Sequence, residues 1–94
     1  MLFVLNARFN PGVEAVRQAI HERFNEHLMQ RASRVRYGGP LFDDQGARTG
    51  VLLIVEAADL EAARRFVSDS PYEQAGLYES VQISELRPEV GGLG

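Results

Sequence analysis

The spacing of apolar residues changes along the chain, and each change marks an element. Leu2–Phe9 is short and rich in β-branched and aromatic residues, which predicts a strand. Asn10-Pro11 then reads as a helix start, with Asn10 as N-cap and Pro11 in the first turn. Val13, Val16, Ile20, Phe24 and Leu28 recur at intervals of three and four, predicting one helix that runs to about Arg31. Arg34–Phe42 predicts a second strand, with Val35, Tyr37 and Leu41 on one face. Gly38-Gly39-Pro40 within it predicts a bulge or an edge position, because proline cannot donate to the ladder. Asp43-Asp44-Gln45-Gly46 is a turn, so a hairpin leads into a third strand at residues 50–57. Asp59 caps a second helix carrying Leu60, Ala63, Phe66 and Val67, which stops before Ser70-Pro71. Residues 78–87 alternate Val81, Ile83 and Glu85 against Ser80, Gln82 and Ser84, a fourth strand.

The order βαββαβ predicts an α+β, ferredoxin-like fold: a four-stranded antiparallel sheet with two helices on one face. The first and third strands are apolar on both sides, yet two helices cover only one. The exposed side therefore predicts a homodimer packed sheet to sheet; the alternative is a monomer whose open face carries scattered apolar residues. With 94 residues the chain is read as one domain, residues 1–88, followed by a flexible tail, residues 89–94.

Composition narrows the chemistry. Ten basic against thirteen acidic residues leave a net charge of −3, which argues against a nucleic-acid partner. There is no Cys, which excludes thiol nucleophiles and zinc-thiolate sites, and every basic residue is Arg. Without Lys there is no Schiff-base chemistry and no phosphate-loop lysine. The N-terminal apolar run is too short for a signal peptide, and no stretch is long enough for a membrane span. No membrane partner and a cytoplasmic location are expected.

The candidates for acid–base work are therefore few. On a helical wheel with Val16 at zero, His27 falls near 20° and His21 near 140° at about 100° per residue. His27 thus lies in the apolar stripe and His21 at its solvent edge. A desolvated imidazole is suited to general-base work; the alternative for His27 is a core histidine bonded to a backbone carbonyl. The two histidines do not share a face and no third ligand is evident, so neither metal nor cofactor is assigned. Asp69, Ser70 and Tyr72 cluster after the second helix, either as turn formers or as site residues. Gly38-Gly39 opens a hairpin rather than a helix and is no phosphate loop. Arg31, Arg34 and Arg36 read as a solvated helix end.

These pieces resemble the YCII-related family across residues 1–88. The resemblance is carried by the N-terminal MLFVL strand, His27-Leu28, Gly39-Pro40-Leu41, and Ser70-Pro71-Tyr72 followed by Ala75-Gly76-Leu77-Tyr78-Glu79. It implies a dimeric α+β barrel with a His–Asp acid–base pair beside a cleft, and at least one member acts in the breakdown of a chlorinated aromatic ring. Three departures stand out. An arginine commonly sits three before the histidine, where this chain has Phe24, with Arg23 four before. Ser70 occupies the place of the family's aspartate, with Asp69 one residue earlier. The stretch from His27 to Gly39-Pro40 is shorter than usual. Two functions follow. The chain is an enzyme acting on a small cyclic or aromatic acid, with His27 as acid or base, Asp69 or Ser70 orienting it, and Tyr72, Tyr37, Gly39 and Pro40 lining the substrate pocket. Alternatively it is a non-catalytic dimer that binds a small ligand or serves as an accessory module.

Overall fold

The computed structural model describes residues 1–30 and 33–92. The expected helix end at Arg31, its share of the basic cluster, and Leu93-Gly94 of the tail lie outside the described residues. Four strands, β1 (Leu2–Phe9), β2 (Arg34–Phe42), β3 (Arg48–Glu56) and β4 (Tyr78–Leu86), form one antiparallel sheet in the order β2-β3-β1-β4. Helices α1 (Glu14–Ala19), α2 (His21–Leu28), α3 (Leu60–Ser68) and α4 (Pro71–Gln74) complete the fold. The architecture is the α+β, ferredoxin-like one that the element order predicts.

The core lies on one side of the sheet. Phe3, Leu5, Ala7 and Phe9 of β1 alternate inward beside Val51, Leu53 and Val55 of β3, under Phe24, Ala63, Phe66 and Tyr72 from the helices. Asp59 caps α3 as expected, its side chain accepting from Ala62 N at 2.8 Å. In the β2–β3 turn, Asp43 Oδ1 accepts from the backbone of Gln45 and Ala47, both at 2.9 Å. The opposite side of the sheet carries Leu2, Val4, Leu52 and Ile54, half-buried, among polar neighbours.

Three local expectations are corrected. First, the long helix begins at Glu14 rather than after Asn10. Gly12 adopts φ +77°, a left-handed conformation that no helix admits, so Asn10 cannot cap. Its side chain instead donates to Gly76 O at 3.1 Å and ties the end of β1 to the start of β4. Second, that helix is kinked at Ile20, where φ −113° and ψ 12° depart from helical values. Hydrogen bonds continue on both sides, from Ile20 N to Val16 O and from Phe24 N to Ile20 O. The kink rotates the face toward the sheet, so Val16 is 47% exposed while Arg17 is buried. Third, Ser70-Pro71-Tyr72 is not a bare turn but the start of α4.

Strand β2 is an edge strand and also bulged, so both readings of Gly38-Gly39-Pro40 hold. The bulge falls at Arg36: Val35 opposes Val55, but Tyr37 opposes Ile54 and Gly38 opposes Leu53. An extra residue inverts the alternation beyond it. Val35 therefore faces the helices while Tyr37 and Leu41 face away, and the three do not share a face.

Candidate active site

One cleft opens between the kinked first helix and the bulged edge strand, with a volume of about 170 Å³. Its existence follows from the bulge. Without it, Tyr37 would oppose Leu53 and point at the helices. With it, Gly38 takes that place and leaves the space open. A side chain at Gly38 has no room, because a Cβ there would press on Leu52 O and the Leu53 side chain.

The helix supplies the polar wall. Arg17, His21 and Asn25 follow at intervals of four, so they lie on one stripe, and all three line the cleft. Arg17 is buried and held by Glu14, with Nη2 2.6 Å from Oε1 and Nε 3.0 Å from Oε2. Such a two-pronged pair suits a guanidinium taken out of water. Hydrogen bonding to Arg17 lowers the Glu14 carboxyl to about 2, and the same bond raises Arg17 above its ordinary value.

Helix α4 delivers the facing group. Ser70 Oγ accepts from Tyr72 N at 3.3 Å, Pro71 opens the helix, and Gly76 at φ +73° closes it. The Tyr72 ring is held parallel to Phe24 with centroids 3.8 Å apart, and edge-on to Phe9 at 5.8 Å. Its hydroxyl lies 3.3 Å from His21 Nδ1 and 3.5 Å from Arg17 Nη1. Asn25 Nδ2 stands 3.2 Å from His21 Nε2. His21 thus has a polar neighbour at each ring nitrogen, and its Nδ1 is within reach of the Tyr72 hydroxyl for proton exchange.

Arg48 of β3 also lines the cleft. Its guanidinium lies 5.8 Å from the Phe42 ring, and its Nε is buried with no hydrogen-bond partner.

The expected site is assembled only in part. His27 does not line this cleft. Its Nε2 meets Phe66 O at 2.7 Å, its Nδ1 meets Gln30 Nε2 at 3.0 Å, and its ring rests on Phe66. His27 is thus a half-buried histidine bonded to a backbone carbonyl. Asp69 caps the end of α3 and is exposed, and the ring nitrogens of His27 are met by Phe66 O and Gln30 instead. Ser70 is buried, but its hydroxyl serves the α4 cap and Tyr78. Tyr72, Gly39 and Pro40 line the cleft, whereas Tyr37 is 66% exposed on the other side of the sheet. Arg36 pairs with Glu56 at 2.7 Å. Among the described residues no group of three or more His, Asp or Glu could hold a metal ion.

His21 is exposed, as its place at the solvent edge of the stripe predicts, and still borders the cleft; Arg17 and Asn25 were not among the candidates, because an unkinked helix with Val16 inward leaves Arg17 outside the buried face. Two signals pointed to them. The three polar residues repeat every four positions. Counting to Gly39 from His21 instead of His27 also lengthens the short connection by six residues.

No functionally curated protein matches the chain significantly. Among solved structures, the chain is similar to 5-chloro-2-hydroxyhydroquinone dehydrochlorinase from Burkholderia phenoliruptrix, determined in complex with 2,5-dihydroxybenzoquinone. The two share 27% identity with a TM-score of 0.81, over 93% of this chain and 94% of that one. The sequence profile of the YCII-related domain matches residues 1–87, and the chain belongs to that family.

Proposed function

We propose that the protein is an acid–base catalyst acting on a small, single-ring substrate with ionisable oxygens. His21 and Tyr72 exchange the proton, and Arg17 stabilises the charge that develops between them. The observation that carries this reading is the Arg17–Tyr72–His21 chain opening onto an apolar cleft. The size agrees: a cavity of about 150 Å³ accommodates a benzene ring. His21 replaces His27 as the acid or base, and Tyr72, Gly39 and Pro40 remain as lining residues.

The similarity to a dehydrochlorinase supports a specific reaction. A proton lost from one ring hydroxyl is returned to the carbon bearing chlorine, giving a keto form. A second hydroxyl proton is then taken while chloride leaves with its bonding pair. The products are a hydroxyquinone and HCl, and each proton movement needs one donor and one acceptor. We place the protein in the cytoplasm; among the described residues no helix is long and apolar enough to cross a membrane. We also propose a homodimer through the sheet face of Leu2, Val4, Leu52 and Ile54, which light scattering would report as twice the 10.5 kDa chain mass.

The test is anaerobic incubation with 5-chloro-2-hydroxyhydroquinone, following chloride release and quinone absorbance. Turnover is expected in the wild type and in His27→Phe, and is expected to be lost in His21→Gln. Turnover that survives His21→Gln refutes the acid–base assignment. A wild type that neither binds nor converts the compound refutes the ring reading.

A further inference from the structure

We propose that Arg48 is a binding residue for a planar oxyanion on the ring, a carboxylate or an ionised hydroxyl, and selects anionic rings over neutral ones. The proposal rests on the cleft described above being a single-ring site. The two guanidiniums that line it are in opposite states. Arg17 is saturated, with Glu14 occupying Nε and Nη2 and Tyr72 facing Nη1. Among the described residues Arg48 has no hydrogen-bonded carboxylate: its Nε is buried without an acceptor, and its guanidinium lies over the Phe42 ring. Glu14 feels the charge of Arg48 at a distance but spends both oxygens on Arg17.

A guanidinium N–H out of water and without an acceptor is an unfavourable arrangement that an incoming oxyanion relieves. The guanidinium fork matches a carboxylate, or two neighbouring ring oxygens, through two parallel hydrogen bonds. Beside Arg48 the cleft is lined by Val35, Pro40 and Val51, and the polar wall of Arg17, His21 and Asn25 carries no acidic group. Arg48 also borders the groove over the β1–α1 turn, with Asn10, Gly12 and Thr49. A substituent on the ring can therefore reach it from the cleft mouth while the ring stays against Phe24 and Tyr72.

Calorimetric titration of the whole chain with two probe pairs tests this. The first pair is 4-hydroxybenzoate and its uncharged isostere 4-hydroxybenzamide. The second is 4-nitrophenol above and below its own ionisation. In the wild type the anion of at least one pair should bind more tightly than its neutral counterpart. Arg48→Gln should weaken that anion roughly 10- to 100-fold, the span of one charge-assisted bond, and leave the neutral probe unchanged. Arg48→Lys should recover part of the loss, since a point charge remains without the fork. The pair that responds identifies the oxyanion as carboxylate or phenolate. Equal weakening of both members, no weakening in either pair, or no binding by the wild type overturns the proposal. Because Arg48 forms no ion pair among the described residues, Arg48→Gln should melt close to the wild type, which separates binding loss from unfolding. The readout is equilibrium binding and needs no turnover. The His21→Gln assay can therefore fail while this one succeeds, and the reverse.

Discussion

Replacing Tyr72 separates its two jobs, which are packing and proton handling. The side chain is 2% exposed, stacked on Phe24 and edge-on to Phe9. Tyr72→Phe keeps every ring contact and removes only the oxygen that His21 and Arg17 approach. Arg17 keeps its carboxylate partner Glu14, so no buried charge is orphaned. The loss should then sit near that of an ordinary buried hydrogen bond, about 1–2 kcal/mol. For a domain of this size that lowers the melting temperature by roughly 5–15 °C. Tyr72→Ala instead opens a cavity and should cost about 3–5 kcal/mol. Turnover should fall about 10²- to 10⁴-fold in Tyr72→Phe if its hydroxyl carries the proton. Thermal unfolding by circular dichroism and single-turnover kinetics measure the two effects separately. A Tyr72→Phe variant that is less stable but fully active would refute the proton role. One that melts as low as Tyr72→Ala would refute the assigned packing.

Further predictions concern pH and the second histidine. Arg17 holds Glu14 down to about 2 in the folded chain against an ordinary 4.5, so acid protonates the unfolded chain first. The stability from this pair should be complete above pH 4.5 and fade as pH falls from there to about 2; Glu14→Gln should flatten that limb of an acid titration. Burial raises the Tyr78 phenol above its ordinary 10, so its contribution is intact below pH 10 and is lost as pH rises beyond it. Tyr78→Phe should remove that slope from an alkaline unfolding curve. His27→Phe should lose one hydrogen bond to Phe66 O, about 1 kcal/mol by urea denaturation, with ring binding in the cleft retained. Gly38→Leu should block the cleft and destabilise β2, seen as lost probe binding with a lowered melting temperature.

Most of the architecture was legible in the chain. The strand spans, the Asp59 cap and the stop before Ser70-Pro71 depend on local periodicity and on single-residue backbone preferences, which act over a few positions. The same is true of the two-sided apolar character of β1 and β3. The family resemblance likewise located the Pro71-Tyr72 segment, and Tyr72 does reach the cleft.

The membership of the site was decided elsewhere. The kink at Ile20 carries no proline or glycine to announce it, yet it turns Val16 out and brings Arg17 in. Burial of Arg17 is tolerable only because Glu14, one turn earlier, and Tyr72, 55 residues later, receive its hydrogen bonds. At β2 the glycines announced an irregularity but not its place. One residue's difference in the bulge decides whether Tyr37 fills the cleft or Gly38 leaves it open. The histidines show the same: periodicity puts His27 in the apolar stripe and His21 at its solvent edge, and only the packing of α2 against α3 and α4 determines that His27 meets Phe66 O and His21 meets Tyr72. Periodicity is a property of one element, whereas a site is made where several meet, and their relative rotation is set by contacts between residues far apart in the chain.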